Sequence, residues 1–256
     1  MNVYVCLKQV PDTEASILIK DGKKINETAI KWIVNPYDEY AIEEALKLKE
    51  KQPGVAVIAV ALGPARVDAV LRTALAMGVD RAVHIAADEA LDFSAVAKAL
   101  ANFIRQDSDL GVVFMGKQAI DDDGYQTHIR LAEYLGVPVA TNVLAFTHAQ
   151  GRAQVEREID EGAREKIEMT VPCVIAAAKG LNTPRYASVM GIMKAKKIEV
   201  RKIALADLGV SAADNKLQLL KLTVPPEKPQ GRFIPGDTAL AVAELVRLLK
   251  EEAKVI

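Results

Sequence analysis

Leu110-Gly111-Val112-Val113-Phe114-Met115-Gly116-Lys117-Gln118-Ala119-Ile120-Asp121-Asp122-Asp123-Gly124-Tyr125-Gln126-Thr127 begins as an apolar, β-branched run and breaks at a glycine into a polar loop. Helical spacing then continues to Leu135 and stops at Gly136. The run has the length and composition of a strand covered on both faces. A parallel strand feeding a helix N-terminus is where open α/β sheets take ligands. Backbone N–H groups without helical partners, together with the helix dipole, favour a phosphate there. Asp123 and Gln126 have the spacing of a capping box, which predicts a helix starting between them. Lys117 offers positive charge, and Gln126 and Thr127 offer hydrogen-bond donors. Asp121, Asp122 and Asp123 oppose an anion unless their carboxylates turn toward a cap, a ribose or solvent. On residues alone, a solvated acidic loop stands beside the ligand reading.

Toward the N-terminus the same alternation repeats. Val3–Leu7, Val55–Ala61 and Ala82–Ala86 read as further buried strands. Ala41, Ile42, Ala45, Leu46 and Leu48 form one helical face, and Val67, Val70, Leu71, Ala74 and Leu75 another, with Gly78 as its stop. Such βαβ units predict an α/β fold, a mostly parallel sheet flanked by helices. Beyond Pro138 the rhythm changes to a β-hairpin excursion. Val143–Phe146, Gln154–Ile159 and Lys166–Thr170 are strands turning at Gln150-Gly151 and Glu161-Gly162. Pro172–Ala178 returns as a buried strand. Residues 180–236 are rich in Pro, Gly, Lys and Asp, and a last helix spans about Thr238–Glu252. This predicts a nucleotide-binding domain over residues 1–200 and a C-terminal arm over 201–256 that packs on another chain.

Two further segments reach the same predicted sheet edge. Asn35-Pro36-Tyr37-Asp38 carries a strong helix start, with Asn at N-cap and Pro at N1. Leu62-Gly63-Pro64 ends a strand with a glycine that permits close approach, or forms a simple turn. Convergence of all three on one rim would make a nucleotide pocket. Elsewhere, Gly180–Lys194 is broken by Pro and Gly yet carries Tyr186, Val189, Met190, Ile192 and Met193, followed by Lys194, Lys196 and Lys197. Apolar residues on a projecting loop beside charge describe a docking surface, with tucking back onto the core as the alternative.

Composition excludes several classes. The 256 residues carry a net charge of −1 and few aromatics, which disfavours nucleic acid as a partner. The longest apolar stretch, near Val55–Leu62, is too short for a membrane span, so a cytoplasmic chain without membrane insertion is expected. His84, His128 and His148 are scattered, and neither a nucleophile elbow, metal spacing, a P-loop nor a dinucleotide fingerprint is present. The expectation is no catalytic residue, no metal ligand and no enzyme.

Val5-Cys6-Leu7-Lys8-Gln9-Val10-Pro11-Asp12, Asn35-Pro36, Thr73-Ala74-Leu75-Ala76-Met77-Gly78, Gly116 to Asp123 and Asn182-Thr183-Pro184-Arg185-Tyr186 together resemble the electron transfer flavoprotein β subunit. Val155-Glu156-Arg157-Glu158-Ile159-Asp160-Glu161-Gly162, continuing to Pro172, looks like that family's signature region. The resemblance implies an adenine nucleotide α-hydrolase-like fold and a heterodimer with an α subunit that holds most of the redox FAD. It also implies a structural AMP on this chain, held by Cys6, Asn35 to Asp38, Leu62 and Gly116 to Thr127. Residues 181–197 match a recognition loop for acyl-CoA and related dehydrogenases, with a quinone oxidoreductase as downstream acceptor in fatty acid oxidation. Val189 stands where a longer leucine is common, which opens the anchor role to Met190 or Ile192. In bifurcating relatives a second FAD replaces AMP and a Gly-Asp-Thr-Ala-Gln-Val-Gly run is usual; here Tyr125 is bulkier than that alanine. A stand-alone adenine-nucleotide sensor is the reading from another class.

Overall fold

Alternation in the first strand sets the architecture. In β1 (Asn2–Leu7), Val3, Val5 and Leu7 join a core on one face of the sheet, and Tyr4 and Cys6 join a second core on the other. The computed structural model describes residues 1–88, 90–227 and 230–256. After β1 come the short β2 (Gln9–Pro11), β3 (Ile19–Lys20), β4 (Lys24–Ile25) and β5 (Trp32–Val34), then α1 (Pro36–Lys51), β6 (Ala56–Gly63), α2 (Asp68–Met77) and β7 (Arg81–Ala86). The chain continues with α3 (Phe93–Ile104), β8 (Leu110–Gly116), α4 (Thr127–Leu135), β9 (Val139–Ala149), β10 (Arg152–Glu158), β11 (Arg164–Thr170) and β12 (Cys173–Ala177). It ends with α5 (Val189–Ala195), β13 (Val200–Ala204) and α6 (Thr238–Arg247).

Nine strands form one sheet in the order β11-β10-β9-β12-β8-β1-β6-β7-β13. All neighbours from β9 to β13 pair in parallel, and β10 and β11 extend the β9 edge antiparallel. From β1 the chain builds outward through β6 and β7, then returns to lay β8 on the opposite side of β1. The strand order thus reverses between β1 and β8, the position where an open α/β sheet leaves a crevice. Helices α1 and α2 cover one face, where Ile42, Leu71 and Phe114 are fully buried. The other face carries α3 and α4, with Ile104 and Leu131 fully buried. Each such side chain contributes about 1.5–3 kcal/mol by leaving water.

The α/β class and every strand named from sequence are present, with the turns at Gln150-Gly151 and Glu161-Gly162 all at positive φ. Several features differ. The excursion between β1 and α1, and helix α3, carry no sequence expectation. Helix α3 is alanine-rich, with Ala95, Ala97, Ala99 and Ala101 all buried, and its polar line is short, running through Ser94, Lys98 and Asn102. The capping box expected of Asp123 and Gln126 does not form. Asp123 and Tyr125 take left-handed φ of 46° and 54°, and α4 starts only at Thr127 with no side-chain cap from Gln126. Residues 201–204 are not arm but most of β13, and Leu205, Leu208 and Val210 pack into the core beneath α3. The exposed arm therefore begins after Asn215, whose side chain is held by Asp92 N–H and the Ala90 carbonyl. Helix α6 ends at Arg247 and passes into a wider π-type turn over Leu248–Glu252.

Candidate functional site

A cleft of about 250 Å³ opens at the strand-order reversal. Its floor is the carboxyl ends of three strands: Cys6 and Leu7 of β1, Leu62 of β6, and Met115 and Gly116 of β8. The walls come from Asn35 and Asp38 at the start of α1, the loop after β8, and the first turns of α3 and α4. The three segments singled out in the sequence do meet here.

Asp38 is the joint. It is buried, and its carboxylate accepts hydrogen bonds from Lys8 N–H (2.7 Å), Gly116 N–H (2.9 Å) and Asn35 Nδ2 (3.0 Å). One side chain thereby ties α1 to the ends of β1 and β8. Burial pushes its pKa up, to about 7, against the pull of those hydrogen bonds. Gly116 is required by the same closeness. A Cβ there would lie 2.4 Å from Asp38 Oδ1 and 2.7 Å from Tyr37 Cβ.

Asn35 occupies the N-cap but makes no side-chain cap bond. Its Nδ2 donates to the Gln118 carbonyl (2.8 Å) and its Oδ1 accepts from Ile120 N–H (3.2 Å). The side chain thus fastens α1 to the loop after β8 instead of capping its own helix, and Pro36 at N1 sets the helix start.

The three aspartates do not face the cleft as free charge. Lys8 Nζ pairs with Asp121 (2.8 Å) and Asp122 (2.6 Å), and Asp123 accepts from Gln118 Nε2 (2.6 Å). Lys117 reaches Asn142 Oδ1 at 3.1 Å and lies over the Tyr37 ring. Gln126 spends its side-chain oxygen on Arg130, leaving its amide N–H₂ as a donor. Cys6 is no nucleophile here. Complete burial pushes its thiol far above its ordinary range, so it stays protonated.

Of the expected site residues, Cys6, Asn35, Asp38, Leu62, Gly116, Lys117, Gln118, Ala119, Asp122, Tyr125, Gln126 and Thr127 line the cleft. Pro36, Tyr37, Ile120, Asp121, Asp123 and Gly124 do not line it, and Ile120 and Asp121 line a neighbouring opening instead. Gly124 is backed by the Phe93 ring, 2.2 Å from where a Cβ would sit. The sequence reading omits Lys8, Phe93, Val96, Leu100 and His128, which also line the cleft. Lys8 could have been found, since it directly follows a strand named as contributing. The α3 residues could not, because they look like core.

A second surface lies away from the cleft. Tyr186 is 98% exposed, Met190 82% and Val189 76%, while Ile192, Lys194, Lys196 and Lys197 are exposed beside them. The loop projects instead of tucking back. Its base is rigid: Arg185 grips Glu43 through Nε (2.8 Å) and Nη2 (2.9 Å) and reaches Glu50 through Nη1 (2.6 Å). Asn182 Nδ2 donates to the Tyr40 carbonyl and to Glu44. Helix α5 rests on α2 through Gly191, where a Cβ would meet the Ala76 carbonyl at 2.2 Å. Arg72 closes the C-terminal end of α5 by donating to the carbonyls of Ala195 and Ile198.

Comparison with known proteins gives a consistent result. Residues 23–208 match the model of the electron transfer flavoprotein domain. The chain is 41% identical to the electron transfer flavoprotein subunit beta of Bacillus subtilis, over 100% of both chains. It is 39% identical to that of Syntrophomonas wolfei, covering 100% of this chain and 98% of the relative. It is 38% identical to that of Homo sapiens, covering 100% and 99%.

Proposed function

This chain belongs to the electron transfer flavoprotein family, among its β subunits, and from that premise we propose that its cleft holds AMP as a structural ligand. Its role is that of an electron carrier subunit, not an enzyme. The observation that supports AMP most directly is the cleft at the β1/β8 reversal, about 250 Å³, with Tyr125 in its lining at the point where a smaller side chain would leave room for a dinucleotide. The donor set fits a phosphate. The first turn of α4 presents N–H groups that no helical carbonyl can satisfy, flanked by the Gln126 amide and the Thr127 hydroxyl. Asn35, Asp38 and Gly116 would hold the rim in shape around the nucleotide.

The redox chemistry would come from FAD held mainly by an α subunit. This chain's part is to bind that partner, to fix the nucleotide and to present residues 181–197 to acyl-CoA or related dehydrogenases, with a quinone oxidoreductase taking the electrons onward. Brief encounters of this kind need a small apolar anchor with a charged rim. Tyr186, Val189, Met190 and Ile192 beside Lys194, Lys196 and Lys197 have that composition. The setting we favour is the cytoplasm; among the described residues no helix is long and apolar enough to cross a membrane.

The test is co-production with an α subunit, acid release of bound nucleotides and their quantification by mass. One FAD and one AMP per heterodimer is the expected content. Two FAD would overturn the AMP assignment in favour of a bifurcating type, and an empty cleft in a stable single chain would overturn the subunit reading.

A further inference from the structure

The sequence holds six methionines, and the fold sorts them by exposure. Met77, Met115 and Met169 are buried, and Met1 packs its side chain against Gly111. Met190 and Met193 are 82% and 62% exposed, and both belong to α5. Standing three residues apart, they are neighbours on one helix face. The opposite face seats the helix. Ala195 is buried there, and Gly191 lies so close to α2 that a Cβ would strike the Ala76 carbonyl. Ser188 caps the N-terminus by accepting from Gly191 N–H (3.0 Å), and Arg72 holds the carbonyls of Ala195 and Ile198 at the other end. None of these holds uses a methionine. Chemical change at the two thioethers therefore leaves α5 in place and alters only what it presents.

We propose that Met190 and Met193 form a reversible oxidation site through which hydrogen peroxide weakens the docking of dehydrogenases. The inference rests on the docking role given above to residues 181–197. A thioether sulfur attacks one peroxide oxygen: the O–O bond breaks, an S–O bond forms, and sulfur gives up two electrons. The second oxygen leaves as hydroxide and takes the proton of the transferred oxygen. Each event thus turns one thioether and one hydrogen peroxide into one sulfoxide and one water. Exposure decides where this happens, because peroxide must reach the sulfur. The product is polar where the thioether was apolar and adaptable. In a small interface that rests on a few apolar anchors, covering the new oxygen without a donor costs more than the thioether contact gave. Sulfoxide reductases return the thioether, which makes the change a switch.

The heterodimer co-produced with an α subunit is treated with hydrogen peroxide, mapped by peptide mass and assayed for electron uptake from an acyl-CoA dehydrogenase. Three forms are compared: wild type, the double variant Met190→Leu/Met193→Leu, and Val189→Asp. In this chain, oxidation at residues 190 and 193 should run well ahead of residues 77, 115 and 169. The KM of treated wild type should rise about 10-fold with kcat little changed, and sulfoxide reductases for both epimers should restore it. The double variant, set against its own untreated form, should show one KM before and after peroxide. Oxidation that begins at the buried methionines, an unchanged KM once both residues are sulfoxides, or an equal rise in the double variant would overturn the proposal. Val189→Asp that leaves KM untouched would instead sink the docking reading itself.

Discussion

Asp38 shows how one buried carboxyl organises the rim and what that costs. It holds two strand ends through their N–H groups, yet burial leaves its proton bound up to about pH 7. The native chain therefore binds a proton here more readily than the unfolded chain does. That contribution favours folding fully below the ordinary carboxylate range and is lost as pH rises from about 4 to about 7. Asp38→Asn cannot titrate, so its stability relative to wild type should improve across that window; denaturant melts at several pH values check this, and parallel profiles would contradict it. Gly116→Ala makes the complementary test. The added methyl collides with Asp38 and Tyr37, and overpacking of this kind costs about 1–3 kcal/mol. A lowered melting temperature with weakened AMP binding is expected; an unchanged value for both would show that the rim yields freely. Asp38 was legible in the sequence as part of a helix start. Its true partners, Lys8 and Gly116, are 30 and 78 residues away along the chain, a separation that no local pattern records.

At the scale of elements, α1 serves both proposed surfaces. Its first turn shapes the cleft, and its later residues Glu43, Glu44 and Glu50 anchor the base of the projecting loop proposed for docking. Glu43 is nearly buried while Arg185 is about a third exposed, so the pair sits between the surface and interior cases. Arg185→Ala should cost about 1–3 kcal/mol, chiefly by leaving Glu43 unpaired. Amide hydrogen exchange should quicken across residues 182–198 and little elsewhere; uniform quickening would mean that the loop has no separate anchor. The strands and the helices α1, α2 and α4 could be read from sequence because each has one clear period and a cap or stop. Helix α3 escaped because its buried face is built mostly of alanines and its polar line is only Ser94, Lys98 and Asn102, and β13 because Arg201 and Lys202 made it look like the tail of a basic loop. The start of α4 was misplaced because Asp123 and Tyr125 adopt left-handed backbone, which their residue types do not announce.

For the whole molecule, the body ends near Asn215, and the C-terminal arm beyond it finds little cover of its own. No residue of α6 is buried, and Leu240, Val242, Leu245 and Val246 face outward. Apolar surface of that extent marks an interface. Truncation after Asn215 should leave the α/β body folded while abolishing stable pairing with an α subunit; size-exclusion chromatography of the co-produced chains reads the outcome, and retained pairing would move the interface elsewhere. On the docking side, reversing the charges of Lys194, Lys196 and Lys197 should slow electron flow from a dehydrogenase, more at low salt than at high. Equal rates at every ionic strength would remove these lysines from docking.

The cleft itself is tested most directly by following backbone amide shifts while the nucleotide-free chain is titrated with AMP. Perturbations gathered in residues 6–8, 35–38 and 116–128 are the predicted result. Saturable binding whose shifts fall outside those three segments, or no shifts at all, would contradict a nucleotide site at the reversal of strand order.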